Sequence, residues 1–465
     1  MRGPGRVQLK TSQQHMKLRI TTVCAIAAVA MTACLTTACG GDDPEPAPPV
    51  QPVVPEPDVP DDPENPDTPV NPFTPTDEQI AGTMEISTGG LPIESKEEYV
   101  PCTVTLTHSN AEWNLTEVTG GIRGRGNSTW LWYDKKPYRI KFDKKQSVLG
   151  LGKAKSWVLL AEYRDPTDLM NAFVFELGQL MQLPYTNHNR YVEVTLNGEK
   201  IGLYHLTEQV QQGDNRVAVD EAAGILMQLD ADDGPELAPD ATDNFWSDVY
   251  RLPVCVKNPE DQTKEQLNGI KQQFATLESA IRHGNYTDVD ANLDVRSMID
   301  FLIVQELIYN VELAAPRSMY MHRHVDGKWT MGPLWDFDAG FDFRWSDMYT
   351  GHHYFDSYRE LVLGTDPANY KGTSYSCPAF FTQLFAMRDF VSAYKARWAE
   401  VYPLINTAWQ NALAYYKANT GAWQHEAELW PIGYDYAEQI EQLEWWIGNR
   451  AVYLDRVVTD LPAGR

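Results

Sequence analysis

Two aspartates one residue apart are the most chemically suggestive feature of this sequence. Asp336 and Asp338 lie between aromatic residues in "MGPLWDFDAGF", residues 331–341. Side chains alternate in an extended chain, so both carboxylates project to the same side. Hard divalent cations take carboxylate oxygens as ligands, and a bound cation would relieve the repulsion between two like charges. The pair predicts a metal site, with two solvated acids at the end of a strand as the alternative.

Further polar residues precede this pair in a predicted loop. Glu312, Arg317 and Ser318 follow an apolar helical pattern and come before a predicted hairpin. Protein kinases have the same order: a catalytic-loop carboxylate, two strands, then a magnesium-binding Asp-Phe-Gly. The order favours phosphoryl transfer, with magnesium held by Asp336 and Asp338 and bridging nucleotide phosphates.

A glycine-rich segment, "RGRGNST", supplies candidate phosphate contacts. Gly124 and Gly126 would let backbone N–H groups approach phosphate oxygens. Arg123 and Arg125 would line the cleft beside them, and Lys141, on a predicted strand, would reach the same phosphates. A tight β-turn without a ligand is the alternative explanation for the glycines.

Hydrophobic patterns predict the elements that position these residues. Tyr138, Ile140 and Phe142 alternate with Arg139 and Lys141, which is typical of a strand with one buried face. The dipeptides at 197–198 (Asn-Gly) and 326–327 (Asp-Gly) predict β-hairpins. Helices are predicted at 169–182 (capped by residue 168 or a neighbour), at 264–284, at 295–310 and through the C-terminal third. These patterns predict an α+β fold in which antiparallel strands pack on a helix.

The N-terminal segment has the pattern of a secretion signal. Lys17 and Arg19 precede a short apolar stretch that ends in "LTTAC" at Cys39. This resembles the lipobox of bacterial lipoproteins, whose cysteine is lipidated. Cys34 is a second candidate, and a plain secretory signal or a short membrane anchor is the alternative. We therefore predict a signal peptide at 1–39, with 1–15 as an over-long start. The following "GGDDPEP" resembles a tag that directs some lipoproteins to the outer surface.

A proline-rich acidic segment follows the predicted signal. Residues 42–78 contain 13 prolines, 11 acidic residues and no lysine or arginine, so we predict a disordered linker over 40–80. It would hold a globular part, 81–465, away from a membrane that the chain meets only through its lipid. The formal net charge of −25 argues against nucleic-acid binding.

Other patterns give little support for chemistry. Cys102, Cys255 and Cys377 are odd in number and have no CxxC spacing, so a zinc site is not predicted and a single disulfide stays open. His322 and His324 share a strand face but have no nearby third ligand. "GHHYFDSY" at 351–358 has the composition of an ordinary loop. A hydrolase is disfavoured because Gly-x-Ser-x-Gly is absent.

Four motifs together resemble the spore-coat CotH kinase-like family. They are, in order, "GGIRGRGNSTW", "KKPYRIKF", "VEVTLNGEKIGLYHLTEQV" and "MGPLWDFDAGF". The resemblance implies a two-lobed atypical protein-kinase fold, with a β-rich lobe at about 81–258 and a helical lobe at 259–465. It also implies that ATP binds with Mg²⁺ or Mn²⁺ between the lobes, and some members phosphorylate serines.

The same resemblance assigns roles to individual residues. It implies that Lys141 contacts phosphate, that Asp336, alone or with Asp338, binds metal, and that Glu312 acts near the substrate hydroxyl. Glu208 matches a further acidic position, either as a nucleotide contact or as the partner of the lysine. Glu176 is an alternative partner for that lysine.

Two positions depart from the family pattern. Active members have Asp in place of Glu312 and a metal-binding Asn in place of Arg317. A longer acid shifts the reacting geometry by about 1 Å, which can cost about a hundredfold in rate, although Arg can pair with phosphate. We therefore predict a surface-exposed outer-membrane lipoprotein that transfers the ATP γ-phosphoryl group to a Ser/Thr or other hydroxyl, weakly or not at all. The alternative is a non-catalytic adhesion protein that binds a protein or surface-glycan partner.

Overall fold

The computed structural model describes residues 73–232, 235, 242–345, 351–363, 377–431 and 433–464. These residues belong to one compact unit, Pro72–Arg465. The predicted signal peptide, Cys39 and most of the predicted linker lie outside the described residues.

A closed barrel of seven strands forms the first part of the fold. Its strand order is β1-β2-β3-β4-β5-β7-β6, and neighbouring strands are antiparallel except for the parallel pair of β1 with β6, which closes the barrel. The strands are β1 (Gly82–Ser87), β2 (Val100–Thr107), β3 (Leu115–Gly124), β4 (Tyr138–Gln146), β5 (Ala154–Leu160), β6 (Arg190–Leu196) and β7 (Glu199–Glu208).

Large apolar side chains fill the interior of this barrel. Ile122, Ile140, Phe142, Trp157 and Tyr204 are each at most 1% exposed. Along β4 the buried residues alternate with residues on the outer face, which confirms the alternation read from the sequence. Because the interior is packed, polar side chains that meet a ligand have to lie on the outside of the barrel or at its ends.

The first predicted hairpin connects β6 to β7. Leu196 pairs with Glu199, and the two residues between them, Asn197 and Gly198, have φ values of 51° and 85°. Positive φ at both central residues is the requirement of a type I′ turn, which explains the Asn-Gly sequence. The prediction is confirmed.

Two helices are inserted between barrel strands. The short α1 (Ser128–Trp132) lies between β3 and β4, and α2 (Met170–Leu180) lies between β5 and β6. The amide of Met170 donates to Asp165 Oδ2 at 2.7 Å, so the carboxylate that binds the start of α2 is Asp165 and not Asp168, the residue named from the sequence.

A second, five-stranded antiparallel sheet has the order β12-β11-β8-β10-β9. Its strands are β8 (Ile225–Leu229), β9 (Asn244–Trp246), β10 (Pro253–Asn258), β11 (Met319–Arg323) and β12 (Trp329–Met331). The second predicted hairpin joins β11 to β12, as expected from its Asp-Gly turn. The sheet combines strands from both sides of residue 258, where the sequence suggested a lobe boundary.

Three helices separate β10 from β11. They are α3 (Lys264–His283), α4 (Tyr286–Asn292) and α5 (Val295–Leu307). Thr263 forms a capping box with Gln266 at the start of α3, and Gly284 ends it with φ 67°. The Asp294 side chain accepts from Ser297 N at 3.2 Å and so caps α5, one residue before the predicted start of this helix at 295.

The C-terminal part is helical. After the short strands β13 (Phe343–Arg344) and β14 (His352–His353) come α6 (Ala379–Thr382), α7 (Arg388–Ala418), α8 (Thr420–Leu429) and α9 (Tyr436–Asp460). Along α9, Ile440, Leu443, Ile447, Leu454 and Val458 recur at helical spacing and are buried. The prediction of an α+β fold with antiparallel sheets and a helical C-terminal part is therefore confirmed. Within the described ranges, no helix combines the length and apolar character needed to cross a bilayer. The described cysteines, Cys102, Cys255 and Cys377, are buried and are not joined to one another by a disulfide.

Candidate functional site

The Trp-Asp-Phe-Asp segment is anchored by its aromatic residues. Trp335 and Phe337 are buried against Phe175 of α2, and the amide of Phe337 donates to Asn171 Oδ1 at 3.1 Å. Asp336 and Asp338 are only half-buried. Asp336 has φ 67°, so the chain is not extended at this residue as the sequence suggested. The two carboxylates are nevertheless close enough for the charge of Asp336 to raise the pKa of Asp338.

Each of these carboxylates has a partner from another segment. Arg164, which follows β5, donates from Nη2 to Asp338 Oδ1 at 3.0 Å and to the Asp338 carbonyl at 3.0 Å. The hydroxyl of Ser318 donates to Asp336 Oδ2 at 3.1 Å. The sequence did not indicate Arg164, because its position in "LAEYRDP" follows no recognisable motif.

Glu312 lies near the two aspartates, and we call Glu312, Asp336 and Asp338 the carboxylate pocket. Burial, followed by the negative charges of Asp336 and Asp338, holds the pKa of Glu312 well above its usual range. Burial likewise raises the pKa of Asp338 to about 7, with Arg164 opposing the shift and Asp336 adding to it. Neighbouring negative charge thus raises the proton affinity of both Glu312 and Asp338. Such mutual repulsion is relieved by a cation or by protons.

Arg125 lies beside these acids. Its guanidinium carbon is 5.3 Å from the centroid of the Trp335 ring. Burial lowers the pKa of Arg125, while the negative charges of Asp336 and then Asp338 act in the opposite direction. Arg125, at the end of β3, therefore brings a positive charge close to Asp336 and Asp338, which follow β12.

The glycines next to Arg125 shape the turn and do not offer free amides. The amide of Gly124 donates to Ser95 O at 2.9 Å, and that of Arg125 donates to Pro137 O at 3.2 Å. A Cβ on Gly124 would lie 2.5 Å from the Trp130 ring, and Gly126 has φ 77°. The role of these glycines as amide donors to phosphate is therefore not supported at residues 124 and 125, whose amides already have backbone partners.

The outer face of β3 and β4 carries two facing arginines. Arg123 is directly opposite Arg139 in the antiparallel register, and burial together with the charges of Arg123 and Arg125 lowers the pKa of Arg139. The Nε atoms of Arg123 and Arg139 are buried without a hydrogen-bond partner. Like charges directly opposite each other destabilise a sheet, so this pair, which we call the arginine wall, is suited to an anion.

Lys141 lies two residues beyond Arg139 on the same face of β4. It is exposed, and neither of its suggested acidic partners is bound to it. Glu208 accepts from His188 N and contacts His188 Nδ1, both at 2.8 Å, and Glu176 binds Asn189 and Tyr415. The assignment of Lys141 as a phosphate contact stays a prediction.

Arg317 interacts with a second group of acids, Asp232, Glu312 and Asp230. Its Nε is 3.0 Å from Asp232 Oδ2. Burial disfavours its charge, but Asp232 and Glu312 outweigh that effect and raise the pKa of Arg317. Asp230 accepts from Ser318 N at 3.2 Å. Asp230 and Asp232 were missed in the sequence, although they repeat the signal of two acids one residue apart after a buried strand.

The histidines singled out in the sequence have structural partners. His322 is buried, its Nδ1 lies 3.2 Å from Gly332 O, and burial lowers its pKa. Across the ranges that the structure describes, no three carboxylate, imidazole or thiol side chains stand close enough together to ligate one ion. The carboxylate pocket still has the type of ligand that a hard cation prefers, because it contains carboxylate oxygens of raised proton affinity.

The protein has an α+β fold. Its site combines the arginine wall on the barrel with the carboxylate pocket, and Arg125 connects the two. A comparison with family models matches residues 122–454 to the family described as CotH kinase protein. The chain therefore belongs to the CotH kinase family. Among curated proteins, the comparison found no match.

Proposed function

We propose that this protein binds ATP together with Mg²⁺ or Mn²⁺ and transfers the γ-phosphoryl group to a Ser/Thr or other hydroxyl, at a low rate. One observation carries the proposal: the buried Nε atoms of the arginine wall lack hydrogen-bond partners, and Arg125 connects this wall to the carboxylates of Asp336 and Asp338 and to their neighbour Glu312. Polyphosphate requires cations, and a divalent metal requires carboxylate oxygens. Membership of the CotH kinase family supports both.

In this proposal the arginines bind the phosphates. Arg123 and Arg139 would neutralise the phosphates that stay with the nucleotide, and Arg125 would orient the transferred one, because guanidinium groups match phosphate oxygens in bidentate geometry. Arg164 holds Asp338 in place through two hydrogen bonds. A metal bound by Asp336 and Asp338 would supply charge neutralisation.

The proposed transfer is a displacement at phosphorus. The acceptor oxygen forms the new P–O bond, the bond from the γ-phosphorus to the β,γ-bridging oxygen breaks, and ADP leaves. The acceptor proton passes to Glu312, whose raised pKa makes its carboxylate a stronger base. The barrel with its arginine wall and the second sheet with the segment that carries Asp336 and Asp338 would form the two sides of the nucleotide cleft.

Asp336→Ala is expected to abolish the thermal stabilisation that Mg²⁺–ATP gives the wild-type protein. A ligand at 100 times its Kd adds about 2.7 kcal/mol to the free energy of unfolding, and this gain should disappear when the metal-binding carboxylate is removed. Thermal unfolding of the full chain, with and without millimolar ATP and Mg²⁺ or Mn²⁺, measures the effect.

The matched control is Asp290→Ala, which removes an exposed carboxylate paired with Lys328 at 3.2 Å on α4. It should keep the full ATP shift. A wild-type protein that shows no shift with either metal would contradict the proposal, and a non-catalytic adhesion protein would then be the better explanation.

We also propose that the protein is an outer-membrane lipoprotein lipidated at Cys39, with the segment 40–80 as its spacer. The support is the "LTTAC" motif and the proline-rich acidic composition that follows it. Mass spectrometry of the mature N-terminus should find a diacylglycerol-modified Cys39, and Cys39→Ala should release the protein from the membrane fraction. An unmodified N-terminus at another residue would contradict this.

A further inference from the structure

One side chain holds the peptide that lies between Asp336 and Asp338. The amide of Phe337 donates to Asn171 Oδ1 at 3.1 Å. Phe337 is fully buried and Asn171, the second residue of α2, is 5% exposed, so the bond is shielded from water. Because the two aspartates flank Phe337, the Asn171 side chain helps to fix the point from which each carboxylate projects.

Glu162 sets the orientation of the Asn171 amide. Asn171 Nδ2 donates to Glu162 Oε2 at 2.9 Å and lies 3.2 Å from Glu162 Oε1. A carboxylate only accepts hydrogen bonds and a backbone N–H only donates, so a single orientation of the Asn171 amide satisfies Glu162 and Phe337 together. The opposite orientation would bring two donors together at Phe337 and two acceptors together at Glu162. Glu162 therefore locks the group that holds Phe337.

A buried histidine of the barrel holds Glu162 in turn. His205, on β7, is 1% exposed, and its Nδ1 is 2.9 Å from Glu162 Oε1. Nδ1 is the donor in this contact because the carboxylate can only accept. The His205 ring stacks on Tyr191, with centroids 5.0 Å apart and planes at 15°. We call the hydrogen bonds from His205 through Glu162 and Asn171 to the Phe337 amide the positioning chain.

The oxygens of Glu162 are occupied, although this residue lies close to the carboxylate pocket. Burial, then the charge of Asp336 and then that of Glu162 raise the pKa of Asp338, against the effect of Arg164. Both Glu162 oxygens nevertheless lie within bonding distance of protein donors, on Asn171 and on the histidine of β7. An acid in this situation orients groups that bind a metal and is not itself free to bind it.

We propose that Glu162 and Asn171 are positioning residues that set the geometry of the Asp336 and Asp338 carboxylates for a divalent cation. This rests on the proposed function, which places the metal at these two aspartates, and it assigns a role to two residues outside the proposed metal and phosphate contacts. Groups that orient metal ligands typically contribute about 10–100-fold to metal affinity, and each of the two residues should have an effect of this size.

An exchange of the two side-chain types tests the positioning chain. In Glu162→Gln, the new amide leads the Asn171 amide to turn, so that a donor faces Phe337 N. Asn171→Asp places a second carboxylate against Glu162. In the double variant Glu162→Gln/Asn171→Asp, the amide at 162 donates to the carboxylate at 171 and still accepts from His205, the carboxylate at 171 accepts from Phe337 N, and the total charge is unchanged.

Two measurements on the full chain follow these variants. Titration with Mn²⁺ alone, monitored by the electron paramagnetic resonance signal of free Mn²⁺, gives the metal affinity. Hydrogen–deuterium exchange without metal reports the protection of the Phe337 amide in the segment 331–341. We expect each single variant to bind Mn²⁺ about 10–100-fold more weakly and to exchange faster at this amide. The double variant should return to within about threefold of wild type, because residues in contact are not energetically independent.

The matched control is Asn189→Asp. Asn189 is 1% exposed, and its Nδ2 donates to Glu176 Oε1 at 2.8 Å, so this variant also places a carboxylate against a glutamate of α2, but outside the positioning chain. It should keep the wild-type Mn²⁺ affinity and Phe337 exchange even where its free energy of unfolding falls. An equal loss of Mn²⁺ affinity in Asn189→Asp overturns the assignment, since any buried charge beside α2 would then have the same effect.

The outcomes separate this inference from the proposed function. Weaker Mn²⁺ binding in both single variants, recovered in the double variant, supports the positioning chain. A folded double variant that binds Mn²⁺ about tenfold or more weakly than wild type overturns it, even where the single variants do not fold. Single variants that bind Mn²⁺ as well as wild type also overturn it and leave the proposed function standing. Wild type that binds no Mn²⁺ refutes the proposed metal site and the metal role of the chain together, whatever the Phe337 exchange shows.

Discussion

Arg450→Met is expected to lower the free energy of unfolding by about 3–5 kcal/mol, the range observed when one partner of a buried ion pair is removed. Arg450 is fully buried. It donates from Nε to Leu307 O at 3.1 Å, from Nη1 to Tyr358 O at 2.8 Å, and from Nη2 to Glu306 Oε1 at 2.9 Å. The side chain therefore connects α9 to the end of α5, immediately before the loop that carries Glu312.

The ion pair between Arg450 and Glu306 is not by itself a net source of stability. Burial is the largest cause in both partners: it raises the pKa of Glu306 and lowers that of Arg450, each in spite of the other's charge. The expected loss arises because removal of the cation leaves Glu306 buried and charged, with only the amides of Val362 and Leu363 as donors.

Urea denaturation of wild type and variants measures this effect. Arg456→Met removes an exposed arginine from the same helix and should change stability by less than about 0.5 kcal/mol. Glu306→Gln added to Arg450→Met should recover part of the loss because it removes the stranded charge. A single Arg450→Met variant as stable as wild type would contradict the assignment of Arg450 as a buried connector.

The local elements of this fold were predictable because their signals are local. The Asn197-Gly198 turn requires two positive φ values, which this dipeptide supplies at low cost. Asp294 and the Thr263–Gln266 box start their helices through side-chain bonds to amides within three residues. Each of these interactions is contained in a short stretch of sequence.

The closure of the barrel was not predictable in the same way. β1 pairs in parallel with β6, so that Thr83 is next to Glu193 across a long stretch of chain. Strand alternation shows that a residue has a buried face, but it does not specify which strand lies beside it. That choice is made by packing of the whole barrel interior, which no local pattern encodes.

The site residues also divide into those that a local motif indicates and those that only the tertiary structure brings together. The carboxylates could be found because Asp336 and Asp338 lie in a short motif whose aromatic residues anchor it. Arg139 and Lys141 have the same alternation on β4, and only the structure shows that Arg139 faces Arg123 and approaches Arg125. Arg164 could not be predicted from the sequence because its importance depends on contacts to Asp338 and Trp345, which are distant in the sequence.

The double variant Glu312→Asp/Arg317→Asn is expected to raise phosphoryl transfer by about a hundredfold, the cost associated with a displacement of about 1 Å at the reacting centre. A shorter acid moves the proposed base back to the position of active relatives. Removal of the Arg317 guanidinium takes a positive charge away from Glu312 and from the proposed metal site, where it would repel a cation.

The substitution at 317 should cost little stability. Its partner Asp232 is 39% exposed, and exposed ion pairs contribute only about 0–1 kcal/mol. The measurement is the initial rate of transfer from labelled ATP to a Ser-rich acceptor peptide.

Two control variants assign the gain to charge and geometry at these two positions. Arg317→Asn alone leaves the longer acid in place and should remain close to the wild-type rate, whereas the double variant with Asp336→Ala added should be inactive because the proposed metal-binding carboxylate is gone. Wild-type turnover within the 1–100 s⁻¹ typical of kinases would mean that Glu312 and Arg317 already serve catalysis. An unchanged rate in the double variant, with the ATP shift intact, would place the limiting step outside these two residues.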